Sequence, residues 1–167
     1  FNKRQDDYGG TIENRTRIHI LIYQAIRKLV GKDYPVFIKM NGADFMEEGI
    51  TVNDSLQAAK LFSQAGFDAI EVSGGIIRTG KLSPSRPGIH SNEQEAYFKD
   101  YARKFRKEIT SPIILVGGVR SFEVANMLIE DGIADYIAMS RPFIREPDLV
   151  NRWKNGDRRR AGCKSDN

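Results

Sequence analysis

The stretch Pro112-Ile113-Ile114-Leu115-Val116-Gly117-Gly118-Val119, continuing through Ser121 to Gly132 and into Tyr136-Ile137-Ala138-Met139-Ser140-Arg141-Pro142, decides the fold. Ile113 to Val116 is apolar without alternation, as expected of a parallel strand covered on both faces. Pro112 cannot continue a helix, so it ends the preceding element and opens the strand. Ser121 then caps a helix that turns Phe122, Ala125, Leu128 and Ile129 inward and stops at Gly132. Tyr136 to Met139 is a second short strand. A strand, a helix and a strand in so short a run predict two parallel strands joined by a right-handed crossover.

The same alternation extends toward the N-terminus. Thr11 and Gly31 bracket a helix in which Ile18, Leu21, Ile22, Ala25, Ile26 and Leu29 fall at i, i+3, i+4, i+7, i+8 and i+11, an apolar stripe expected to face a core. Val36-Phe37-Ile38-Lys39-Met40 reads as a strand. A Gly-, Asn- and Asp-rich loop leads to Asn53 or Asp54 as the cap of a helix carrying Leu56, Ala59 and Phe62, ended by Gly66. The strand Ala69-Ile70-Glu71-Val72-Ser73 follows. Residues 74–91, with four glycines, Pro84 and Pro87, form the longest irregular stretch. A third helix carries Phe98, Tyr101, Ala102, Phe105 and Ile109, and a last one runs roughly from Pro147 to Lys154. Strictly alternating elements imply an open doubly wound sheet or a barrel. Four strands cannot close an eight-stranded barrel but can form half of one.

Composition agrees with a soluble domain. The chain has 167 residues, 40% hydrophobic and 29% charged, enough for a real core. No apolar run approaches the ~18 residues of a membrane helix, so no membrane partner is expected. There is no secretory signal, although a start at Phe1 rather than Met carries the expectation of a piece cut from something longer. One cysteine, Cys163, cannot form an internal disulfide, which fits a cytoplasmic setting. The net charge is +4. Much of the excess sits in Arg158-Arg159-Arg160 and Lys164, which reads as a solvated, partly frayed tail (156–167) behind a domain of residues 1–155.

In parallel α/β folds chemistry collects where strands end. One strand ends in Gly117-Gly118 and the next in Ser140-Arg141. Glycines let backbone amides approach a phosphate, and an arginine adds a charge-assisted contact. In a (β/α)8 barrel the loops after the last two strands are the usual phosphate site. The competing reading is a tight turn beside a surface arginine. Lys39 interrupts an apolar strand. It sits against the electron-rich edge of a cofactor, or it snorkels to solvent; the pattern leaves both open. His19 reads as structural, and His90 lies in the long loop with no visible partner. Neither a catalytic triad nor a metal-ligand spacing appears, so no catalytic residue and no metal site are assigned.

The opening Asn2-Lys3-Arg4-Gln5-Asp6-Asp7-Tyr8-Gly9-Gly10-Thr11-Ile12-Glu13-Asn14-Arg15-Thr16-Arg17 resembles the N-x-R-x-D-x-Y-G-G-S-x-x-N-R-x-R stretch of the old yellow enzyme family, the NADH:flavin oxidoreductases and ene-reductases. Val72-Ser73-Gly74-Gly75, Val116-Gly117-Gly118-Val119 and Ser140-Arg141-Pro142 follow in the family's order. The resemblance covers nearly the whole chain and implies the C-terminal half of an FMN-binding (β/α)8 TIM barrel, roughly strands 5–8 with helices 4–8. It implies that Gly117, Gly118, Ser140 and Arg141 hold the FMN phosphate. Lys39 would stand where the family usually has an arginine against the flavin pyrimidine edge, keeping the charge but losing the planar fork. NAD(P)H would be the reductant, and an electron-poor alkene or similar small molecule the acceptor.

The family's substrate-gripping and proton-donating residues belong to the first four strands, so the chain by itself is expected to be inactive. Some relatives carry an iron–sulfur cysteine cluster after the barrel; here Asp166 stands where a second cysteine is expected, so no cluster is predicted. A half-barrel leaves sheet edges and a core face open, which predicts self-association. Two rivals remain: a non-flavin phosphate-binding barrel aldolase or isomerase, and a non-enzymatic basic module. The second ranks last, because no strand face interleaves aromatic and basic residues, and no nucleic-acid partner is expected.

Overall fold

The computed structural model describes residues 2–164; Asp166 lies outside them. Four strands run parallel in the order β1-β2-β3-β4: β1 (Phe37–Asn41), β2 (Ala69–Ser73), β3 (Ile113–Val116) and β4 (Tyr136–Ala138). The helices are α1 (Ile12–Val30), α2 (Val52–Ala65), α3 (Lys99–Arg106), α4 (Phe122–Glu130), α5 (Arg141–Arg145) and α6 (Leu149–Lys154). Two 3-10 turns, at Ile77–Leu82 and Asn92–Gln94, occupy the long irregular stretch. Sequence pattern missed them and α5, because each is too short for periodicity to register.

The register explains which residues make the core. Ile70 pairs with Ile113 and Val72 with Leu115, and all four are fully buried. Side chains alternate across a strand, so these four point to one face, beneath the helices. Ala59 and Phe62 of α2, Phe98, Ala102 and Phe105 at α3, and Leu128 of α4 close that face. Each large side chain buried here contributes roughly 1.5–3 kcal/mol relative to exposure.

The other face is open. Phe37 is 55% exposed and Tyr136 is 59% exposed. The apolar strands were expected to be covered on both faces; only one is. Four strands do not curl far enough to enclose their inner face.

α1 shows the same limit. Thr11 caps it, its hydroxyl accepting from the Asn14 amide, and Gly31 ends it, as expected. Its apolar stripe, however, does not face the core: Ile18, Leu21, Ile22 and Leu29 are exposed. The buried side is Ile12, Thr16 and Tyr23. Tyr23 fixes the rotation, donating to the Gly66 carbonyl at 2.6 Å while its ring packs on Phe67. For α2 the cap is Thr51, not Asn53 or Asp54; Asp54 completes a capping box by accepting from the Thr51 amide. Ile129, expected inward on α4, is exposed.

One device occurs twice at the N-terminal ends of the strands. Asp68, just before β2, accepts from the Val36 amide at 2.7 Å and pairs with Arg27 of α1. Asp135, just before β4, accepts from the Ile113 amide at 2.7 Å and pairs with Arg106 of α3. Each aspartate ties its own strand, the preceding strand and the end of a helix into one knot.

The C-terminal arginines do not fray. Trp153 Nε1 donates to the Arg159 carbonyl at 3.1 Å, the Arg158 guanidinium stacks 4.2 Å from the Phe122 ring centroid, and Ala161 is buried. Residues 157–161 form a strap packed on α4 and α6. The Arg158, Arg159 and Lys164 side chains are solvated as expected, while the backbone of residues 157–161 is held against the body.

Candidate anion-binding site at the strand ends

All five residues singled out from the sequence line one pocket. Lys39, Gly117, Gly118, Ser140 and Arg141 surround a cavity of about 210 Å³ at the C-terminal ends of the strands. That is below the ~300–1,000 Å³ of a typical whole-ligand pocket, so it suits part of a larger molecule. Ser73, Ser85, Tyr97 and Arg120 also line it, and no carboxylate does. Three cations and several hydroxyl donors without an acid are chemistry for an anion.

Gly117 and Gly118 are required by conformation. Their φ angles are 132° and 77°, where a side chain is strained. A Cβ at Gly118 would come within 2.5 Å of Tyr97 and Ile89. The pair therefore makes the tight turn and also keeps the pocket floor free of side chains. Tyr97 is fixed above it, its hydroxyl donating to the Pro84 carbonyl at 2.9 Å and its amide to the Gly117 carbonyl at 3.2 Å.

The cations are held by different means. Lys39 Nζ lies 2.6 Å from Glu71 on the neighbouring strand, and the lysine stem is more than half exposed. On the open sheet face it is exposed to solvent and also lines the pocket. Arg141 donates to the Arg86 carbonyl at 3.1 Å. Arg120 donates to the Ile89 carbonyl at 2.8 Å. Burial pushes the Arg120 guanidinium below its usual value, and the charges of Arg141 and Arg160 push the same way, against Cys163 and Glu95. Arg86 itself stacks 4.3 Å over the Tyr97 ring, and burial lowers its guanidinium too.

Sequence reasoning missed Arg120, Tyr97, Ser73 and Ser85. Arg120 carried a usable signal, since it follows Gly117-Gly118-Val119 directly at a strand end. Tyr97 and Ser85 sit in or beside the long irregular stretch, where no periodicity points inward. His19 packs edge-on against Phe62 at 5.7 Å, as a structural histidine does. The polar opening is self-bonded: Asn2 donates to the Tyr8 carbonyl and Arg17 to the Asp7 carbonyl, both at 2.7 Å, forming the entry to α1.

Residues 1–159 match the NADH:flavin oxidoreductase / NADH oxidase family. The chain belongs to that family. Membership implies FMN and NAD(P)H as the cofactors and sets aside the aldolase or isomerase reading. Among similar proteins, the NADH oxidase of Thermoanaerobacter brockii is 33% identical over 93% of this chain and 23% of its own length. The cinnamate reductase of Clostridium sporogenes is 30% identical over 91% of this chain and 24% of its own. A 2-naphthoyl-CoA reductase structure superposes with a TM-score of 0.82 at 30% identity, covering 97% of this chain and 24% of that one. The chain thus spans about a quarter of these relatives. Within the family fold, its four strands are the C-terminal half of the FMN-binding (β/α)8 barrel.

Proposed function

We propose that this chain carries the FMN-phosphate half-site of an FMN-dependent NAD(P)H oxidoreductase of the ene-reductase or NADH oxidase type. One observation carries the reading: Gly117, Gly118, Ser140 and Arg141 converge on a single cationic, acid-free pocket at the C-terminal ends of β3 and β4. The glycine turn admits phosphate oxygens close to the backbone, and Arg141 with Arg120 supplies charge. Lys39, ordered by Glu71, stands two strands away, where a cation stabilises negative charge on a bound ring system. When bound, FMN supplies hydride transfer between NAD(P)H and a small electron-poor acceptor such as an activated alkene. The chain's own residues bind and orient; the groups that grip the acceptor and protonate it are expected from the barrel's first four strands, so the isolated chain is proposed to be inactive.

The test compares FMN with riboflavin, which lacks the phosphate, by quenching of flavin fluorescence. A phosphate site predicts at least tenfold tighter binding of FMN. Equal affinity would contradict it.

A second reading follows from exposure. Ile18, Leu21, Ile22 and Leu29 on α1 are exposed, as are Phe37 and Tyr136 on the open sheet face, and exposed apolar surface marks association. We propose that two copies associate through it. Light scattering after size exclusion should give twice the chain mass; a monomer at high concentration would contradict it.

A further inference from the structure

Glu95 is the most deeply buried charge outside the pocket, its side chain wholly inaccessible. Both oxygens are fully used. One accepts the Arg120 amide at 2.7 Å and the Ser121 amide at 2.9 Å. The other accepts the Ser121 hydroxyl at 2.8 Å and Arg160 Nε at 2.9 Å. Three of these donors belong to the turn that leaves the pocket floor, and one comes from the C-terminal strap. Arg160 also donates to the His90 carbonyl at 2.8 Å and the Ile89 carbonyl at 3.0 Å. The Ile89 carbonyl is the acceptor for Arg120 of the pocket as well. The Ala161 amide closes the arrangement by donating to the Arg120 carbonyl at 2.9 Å.

We propose that the strap of residues 157–161 belongs to the anion-binding machinery, with Arg160 as a positioning residue acting through Glu95, so that strap docking and phosphate binding reinforce each other. The inference rests on the FMN-phosphate reading given above. A buried carboxylate that loses its cation is left uncompensated in a dry site. The Arg120 and Ser121 amides and the Ser121 hydroxyl then hold a less compensated charge, and the turn that shapes the pocket shifts. Coupling between two binding events is reciprocal. If the docked strap tightens the pocket, an occupied pocket must hold the strap down.

The strap reports its own state, because Arg158-Arg159-Arg160 is a run of trypsin sites. Arg158 and Arg159 are exposed, but Arg160 is tied to Glu95 and the loop before it, so cleavage after Arg160 reports lifting of the strap, with the exposed Lys28 and Lys32 near the end of α1 as distant reference sites. Saturating FMN should slow strap cleavage at least fivefold relative to the reference sites, and riboflavin should not. Arg160→Ala should weaken FMN at least tenfold while leaving riboflavin affinity unchanged, and Arg160→Lys should restore part of the loss. If FMN binds the unmodified chain without protecting the strap, the inference is overturned while the flavin-phosphate reading stands. If FMN fails to bind the unmodified chain, both fall. Should Arg160→Ala not fold, protection in the unmodified chain decides.

Discussion

The α1-β1-α2-β2 and α3-β3-α4-β4 halves are alike at one end of the sheet and different at the other. Where the strands begin, both use the same knot: Arg27, Val36 and Asp68 in the first, Arg106, Ile113 and Asp135 in the second. Where the strands end, they diverge. The first half ends in Asn41-Gly42 and Ser73-Gly74-Gly75, the second in Gly117-Gly118, with Arg120 close behind, and in Ser140-Arg141. Their outer packing diverges too: α3 buries Ala102 and Phe105 completely, while α1 leaves its apolar stripe exposed. The fold is thus kept at one end by a repeated device, and chemistry is written at the other by local loop sequence, a division general to α/β barrels.

The packing difference gives the largest expected effect. Phe105→Ala should cost about 3–5 kcal/mol in chemical denaturation, whereas Ile22→Ala on α1 should stay within about 0.5 kcal/mol when both are measured at a dilution that keeps copies apart. Comparable losses would show that the α1 face is buried in solution. The likeness of the knots comes next. Asp68→Ala and Asp135→Ala should each cost about 1–3 kcal/mol, since each leaves a strand amide and a guanidinium without their acceptor. Values differing by more than the smaller of the two would break the equivalence.

Acid titration sharpens the same likeness at lower amplitude. Burial would raise the Asp68 and Asp135 carboxyls. In both, the strand amide and the arginine outweigh it and hold the carboxyl below its ordinary value. A carboxyl lowered on folding contributes stability above the unfolded value, near pH 4, and loses it as pH falls through the folded value. Stability should therefore decline below about pH 4, and more shallowly in the Asp68→Asn, Asp135→Asn double variant. An unchanged slope would remove the knots from the acid response.

These comparisons also show what the sequence could reveal. The four strands, the cap Thr11 and the stops Gly31 and Gly66 were legible because each rests on local chemistry, whereas Ser121 sits at the expected cap position but turns its hydroxyl to Glu95. The α1 stripe was legible as a period but not as a destination, because Tyr23 and Arg27 on the opposite side set the helix rotation. Asp68 and Asp135 looked like turn residues, since their arginines lie far away in sequence. Glu95 and Arg160 gave no signal for the same reason; the arginine run read as solvated, which holds for the Arg158 and Arg159 side chains but not for Arg160. The five pocket residues were legible because strand ends and glycines mark them; Tyr97 and Ser85, in or beside an aperiodic stretch, were not.

The most direct test of the account is FMN affinity, measured by calorimetry, in the unmodified chain and in Arg141→Ala. The phosphate half-site predicts binding by the first, a loss of at least tenfold in the second, and no change in the second's folding stability. Equal affinity in the two would contradict it.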